Sequence, residues 1–195
     1  MSTKKQPFVV QTYLDLLDKQ REETFQVLEG ITPQQLWQRP APKEWCIGEI
    51  LDHNLRLFRS VFPFVRLAWH FFRWTGKLLY NRTYKTHIED PYRKKHFPMW
   101  AGFLWSPKYT PDNPVPLDRL HSEMRAEHAQ VRQFYSGKDE AMLGNVFVFD
   151  PLFGFLNLIV TLQIGVYHDQ LHFDDVIALV KDLKSSTLQN GSQPH

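Results

Sequence analysis

The chain has 195 residues, 43% of them hydrophobic and 23% charged, with a formal net charge of +2. That length fits one domain with a substantial core, and the composition is that of a globular protein rather than a disordered or fibrous one. The charge balance makes no case for nucleic acid, and a single cysteine, Cys46, excludes an intramolecular disulfide and suits a reducing, cytoplasmic setting.

The opening stretch "MSTKKQPFVVQTYLDLLDKQ" lacks the continuous apolar run of a signal peptide. It reads instead as the start of a first helix over about 7–29. Phe8, Tyr13, Leu16, Leu17, Phe25 and Leu28 recur there at helical period, and Gly30 closes the helix. Thr32-Pro33-Gln34-Gln35 supplies a cap, a proline at the first helical position and a capping-box glutamine, which predicts one short helical turn.

A second helix is predicted from Trp45, with Ile47, Ile50, Asn54, Leu57 and Val61 on one face. Pro63 interrupts it, and the period resumes in "FVRLAWHFFRWTGKLLY". One straight helix from Trp45 to Tyr80 would be about 52 Å long, so a kink or two pieces are expected. Arg66, His70, Arg73 and Lys77 form a cationic row on this segment, with Phe64, Leu67, Ala68, Phe71, Phe72, Leu78 and Leu79 on its other faces. The row reads first as a solvated face opposite the core; a membrane surface or a partner protein are the other readings.

Residues 81–116 are rich in proline and aromatics and show no sustained period. Connections this long often carry function, and the aromatics of 91–109 could cover a cleft or build a dimer contact. The third helix is predicted over Leu117–Tyr135, with Leu117, Leu120, Met124, Val131 and Phe134 inward and Gly137 as its stop. The fourth is expected to open at Asp150-Pro151, a cap followed by proline, and to carry the stripe Val160, Ile164, His168, Leu171, His172, Asp175, Leu179. No segment reads as a strand, and none is long and apolar enough to span a membrane. The fold class is therefore all-α: a four-helix bundle over 1–184 with an insertion at 81–116, followed by a disordered polar tail at 185–195. Linker lengths make helices one and two antiparallel neighbours. The long connection allows helices two and three to run parallel.

His168 and His172 stand four residues apart on an otherwise core-facing stripe. That spacing puts both rings on one helical face, one turn apart. A buried neutral imidazole must find a partner for its ring nitrogens, and one metal ion could serve both rings. Two core histidines bonded to backbone or side chains are the alternative. His53, between Ile50 and Leu57, is the best third ligand, because helix two should pack beside helix four. His121 and His128 flank the apolar face of helix three and read as boundary residues. His70, His87 and His96 read as solvated, and His195 lies in the tail. Glu49, one turn before His53, reads as a solvated carboxylate rather than a base. Cys46 reads as a small buried hydrophobe.

"EWCIGEILDHNLRLF" and "DPLFGFLNLIVTLQIGVYHDQLHFDDV" together resemble the DinB-like superfamily of metal-binding bundles. The matching features are Trp45, His53, Pro151, Gly154, His168 and His172, and "LEGITPQQLWQRPAPKEW" resembles the family's first linker. The resemblance covers about 8–62 and 117–180 but not the aromatic insertion. It implies an up-down-down-up bundle in which His53, His168 and His172 hold one divalent ion, with positions left open. Three nitrogen ligands with open positions match catalytic zinc sites, and imidazole suits nickel equally. The resemblance further implies a small-molecule substrate, hydrolysis or transfer of a low-molecular-weight thiol, and a homodimer. A non-catalytic metal-binding or ligand-sensing module, and an interaction protein using the basic aromatic helix, are the other functional readings.

Overall fold

Local signals set most of the helix ends. The computed structural model describes residues 9–93 and 104–190. Helix α1 (Val9–Val27) stops before Gly30, whose φ of +81° few other residues tolerate. The short α2 (Pro33–Leu36) has its full capping box: Thr32 Oγ1 accepts from the Gln35 amide, and Gln35 Oε1 accepts from the Thr32 amide. Helix α3 (Ile47–Leu78) begins where Glu49 accepts from the Cys46 amide. Helix α4 (Leu117–Tyr135) ends before Gly137, with φ +74°. A short α5 (Glu140–Gly144), capped by Asp139, leads into a hairpin and then into α6 (Leu158–Asn190).

Three sequence expectations are corrected here. First, α3 does not break at Pro63 but runs unbroken for 32 residues, about 48 Å. Pro63 is exposed, while Phe58, Phe62, Val65 and Ala68 form one continuous buried face on either side of it. That shared burial offsets the roughly 3 kcal/mol that an interior proline costs. Second, Asp150-Pro151 does not cap the last helix. Strands β1 (Phe147–Asp150) and β2 (Gly154–Asn157) pair antiparallel, with Asp150 opposite Gly154. Asp150 Oδ1 accepts from the amides of Leu152 and Phe153, and Gly154 supplies φ +75°, so the segment is a hairpin turn. Asn157 caps α6 instead, its Oδ1 accepting from the Val160 amide at 2.9 Å. Third, α6 continues to Asn190 and so takes in residues expected in the tail.

The four long helices form an up-down-down-up bundle. Phe58 lies against His128 and Phe62 against Phe134, so α3 and α4 run parallel. Tyr13 meets Tyr167 and Val27 meets Lys184, so α1 and α6 run parallel. Phe25 stacks on His121 while Asp18 pairs with Arg132, which makes α1 antiparallel to α4. The expectation that α1 and α3 are neighbours is corrected: α1 packs on α6 and α4, α3 packs on α4 and α6, and α1 and α3 sit on a diagonal. The core falls into two clusters. One lies around Leu51, Leu120, Met124 and Phe173, the other around Leu14, Leu143, Leu158 and Ile159.

The long connection between α3 and α4 lies against α6. Gln163 bonds the backbone of Thr86 and Ile88, Asn157 Nδ2 donates to the Lys85 carbonyl, and the Tyr167 hydroxyl donates to the Ile88 carbonyl. Its far end is tied to α3, where the buried Asp52 carboxylate accepts from the amides of Lys108 and Tyr109. His96 and part of the aromatic insertion lie outside the described residues.

Candidate metal centre

Where α3 and α6 run antiparallel, His53, His168 and His172 converge. Their ring centroids lie 5.2 Å (His53–His168), 4.8 Å (His53–His172) and 4.6 Å (His168–His172) apart. One ring nitrogen from each can be chosen so that all three fall within 4.8 Å of one another. All three side chains are buried. The i,i+4 spacing on α6 fixes the first pair. The third ring arrives because Phe58 packs beside Gly165, where even a methyl group would stand 3.4 Å from the Phe58 ring.

Hydrogen bonding divides the nitrogens of His53 into two roles. Nδ1 lies 3.0 Å from the Trp105 carbonyl, an acceptor only, so Nδ1 carries the proton and Nε2 keeps its lone pair. His53 Nε2 and His168 Nδ1 are buried with no hydrogen-bond partner among the described residues. His172 Nδ1 stands 3.3 Å from Asp175 Oδ2 without the alignment of a hydrogen bond. A native interior rarely leaves such atoms orphaned. Protonation does not relieve them: burial first, and the neighbouring His172 second, push His53 down to about 4. Burial, with His172 and His53, holds His168 well below the usual histidine range. His53 and His168 are therefore neutral at physiological pH, which is the ligating form. The donor set and its orphaned nitrogens fit one divalent ion.

The connection contributes to the site as well. The Tyr92 ring stands edge-on to His168 at 5.6 Å, and Trp105 supplies the carbonyl that orients His53. Burial, followed by the charges of Asp150, Asp90 and Asp169, raises Tyr92 so that it keeps its proton. Trp45 tilts over His53 at 4.8 Å. The sequence offered only aromatic density as a signal for Tyr92 and Trp105, and none for Asp52, which fastens this segment.

The other sequence candidates lie elsewhere. His128 is buried but lies 3.1 Å from the buried Asp169 and is not one of the three converging rings. His121 stacks on Phe25 with its centroid 4.0 Å away. His70 and His87 are exposed. Glu49 is corrected from a solvated carboxylate to a buried one, 1% exposed. It pairs with Arg39 and caps α3, so its carboxylate is committed to those partners. Cys46 is fully buried, its thiol pushed up to about 12 chiefly by that burial, and is inert.

The triad closes one end of a cavity of about 470 Å³ inside the bundle. An all-α bundle with three inward imidazoles at the head of such a cavity defines a class: helical proteins whose facing helices present a candidate metal site. The DinB superfamily model matches residues 16–176, and the chain belongs to that superfamily. Among solved structures it is similar to YfiT from Bacillus subtilis, described as a probable metal-dependent hydrolase with an unusual four-helix bundle topology. The two share 13% identity over 94% of this chain and 93% of the other, with a TM-score of 0.61. No curated protein matches the chain.

Proposed function

We propose that the protein is a metal-dependent enzyme acting on a small molecule, by hydrolysis or by transfer of a low-molecular-weight thiol. The observation that carries this reading is the convergence of three buried imidazoles, each with a ring nitrogen that makes no hydrogen bond, at the head of a largely apolar cavity. The description of YfiT as a probable metal-dependent hydrolase supports the hydrolytic branch. His53, His168 and His172 hold the ion, with zinc or nickel best suited to the donor set. Bound there, the ion supplies Lewis acidity and lowers the pKa of a nucleophile, water or thiol.

The chain's own residues do the rest. The Trp105 carbonyl fixes the tautomer and orientation of His53, a standard means of strengthening a ligating imidazole. Tyr92 holds a phenolic proton beside His168. The mostly apolar walls lower the local polarity around the histidine end, which strengthens charge interactions there. Cys46 and Glu49 take no part, since both are committed to the start of α3.

The test is elemental analysis of the purified protein, followed by turnover of an ester and thiol-acceptor panel with and without chelator. Chelator-sensitive turnover supports the proposal. One ion per chain without turnover on any substrate favours a metal-binding module. A second reading follows from the outer half of α3, where Phe64, Leu67, Phe71, Phe72, Trp74 and Leu78 are exposed between Arg66, Arg73 and Lys77. A solvated row opposite the core does not account for so much exposed hydrocarbon. Co-sedimentation with anionic liposomes that persists in chelator would favour that reading.

A further inference from the structure

The cavity is far longer than a metal centre needs. From His53 its wall continues along α3 through Leu57 and Val61 to Val65, twelve residues on, or about 18 Å. Along α6 it runs from His172 back to Thr161, about 16 Å. Its 470 Å³ falls within the roughly 300–1,000 Å³ of small-molecule sites. Gly165 sits midway along the α6 wall, where a Cβ would already touch the Phe58 ring at 3.4 Å.

Polar and apolar surface are segregated along this length. Away from the histidines, three polar side chains in the wall already bond to the protein itself. The Tyr135 hydroxyl donates to the Leu158 carbonyl at 2.9 Å. Thr161 Oγ1 donates to the Asn157 carbonyl at 2.9 Å. Asp150 Oδ1 accepts from two amides of its own turn. Among the described residues that line the cavity, the orphaned nitrogens are those of His53, His168 and His172, at the other end. A small polar molecule would satisfy the histidine end and leave the rest of the cavity unfilled.

We infer that the substrate is amphipathic: an extended hydrocarbon body seated between α3 and α6, presenting one polar head group to His53, His168 and His172. This rests on the reading of the triad as a metal centre. The head is a carboxylate, ester or thiol end that an ion can coordinate. The body gains affinity from burial, about fourfold for each methylene added until the cavity is full.

Straight-chain carboxylates from butanoate to decanoate serve as probes, titrated calorimetrically into the zinc-loaded full-length protein. Affinity is expected to climb severalfold per added methylene and then level off. Val61→Trp projects bulk into the middle of the cavity. It should keep one zinc per chain yet flatten the series, so that decanoate binds no more tightly than a short homologue. Gly165→Leu narrows the same region from α6 and repeats the test if Val61→Trp fails to fold. A flat series on zinc-loaded wild type overturns the inference and leaves the metal centre standing. A decanoate advantage that survives both substitutions places the hydrocarbon elsewhere and also overturns it. A wild-type chain that takes up no zinc removes the metal-centre reading, and the same series on that protein still decides whether the cavity selects hydrocarbon.

Discussion

His53 on α3 gives its Nδ1 proton to the carbonyl of Trp105, 52 residues away, at 3.0 Å. This bond leaves His53 Nε2 free to face His168 and His172. It also makes the site a product of three chain segments rather than two helices. His53→Ala, His168→Ala and His172→Ala should each abolish stoichiometric metal, while His121→Ala leaves it unchanged. Metal per chain across these variants is the measurement. Full occupancy in His168→Ala would mean that the rings are core histidines. The ligand variants also leave buried imidazoles unpaired, at a cost of about 1–3 kcal/mol for each unsatisfied group.

Asp52 reaches the histidine triad at one remove. Its carboxylate holds the amides of Lys108 and Tyr109, and so holds the strap that carries the Trp105 carbonyl. Asp52→Ala should weaken metal binding by about tenfold or more, in the range seen when a ligand's supporting bond is lost. Competition against a chromophoric chelator reads this directly. Unchanged affinity would show that the strap stays in place without its anchor.

Gly48 separates stability from metal binding. A methyl group there would stand 2.7 Å from the Trp37 ring, and that ring is pinned by its Nε1 bond to the Val115 carbonyl. Gly48→Ala should destabilise the fold by about 1–3 kcal/mol through overpacking. The folded fraction should keep full metal content. Chemical denaturation and elemental analysis on one preparation check both halves.

Glu49 predicts an acid limb of stability. Burial alone would raise its pKa, but the Arg39 guanidinium and the Cys46 amide more than offset this and hold it below the usual glutamate value. The unfolded chain therefore takes up the proton first as pH falls. The stabilisation is complete above the unfolded value near 4.5 and is lost as pH drops through the lower folded value. Thermal melts of Glu49→Gln should start lower than wild type at pH 7, and the gap should narrow on acidification below about 4.5. A gap independent of pH would remove the ion pair as its cause.

We propose that the exposed aromatic row on α3 is covered in a homodimer. Light scattering at micromolar concentration should give twice the chain mass of 23.2 kDa. Replacing Phe64 and Phe71 with Ser should return a monomer with its metal intact, since neither side chain is in the core. A monomeric wild type would leave the row to another partner.

Helix periods, the capping box at Thr32–Gln35, the glycine stops at Gly30 and Gly137 and the i,i+4 pair His168–His172 were legible from the sequence, because each depends on neighbours within a few residues. So was the choice of His53, from its place between Ile50 and Leu57 beside the apolar face of that helix. What lay beyond reach depends on distant partners. Asp150-Pro151 carries a helix-start pattern, yet Asp150 bonds its own turn and β2 pairs back on β1, so the helix begins at Leu158, capped by Asn157. Pro63 carries a break signal that the buried face of α3 overrides. Glu49 looks solvated in a helical pattern, but Arg39 approaches from the preceding linker. Asp52, Tyr92 and Trp105 join the site only because the long connection folds back onto α3 and α6. The cavity has no sequence signal at all. It is the space left when α3 and α6 meet across Gly165 and Phe58, and only the packed bundle determines its length.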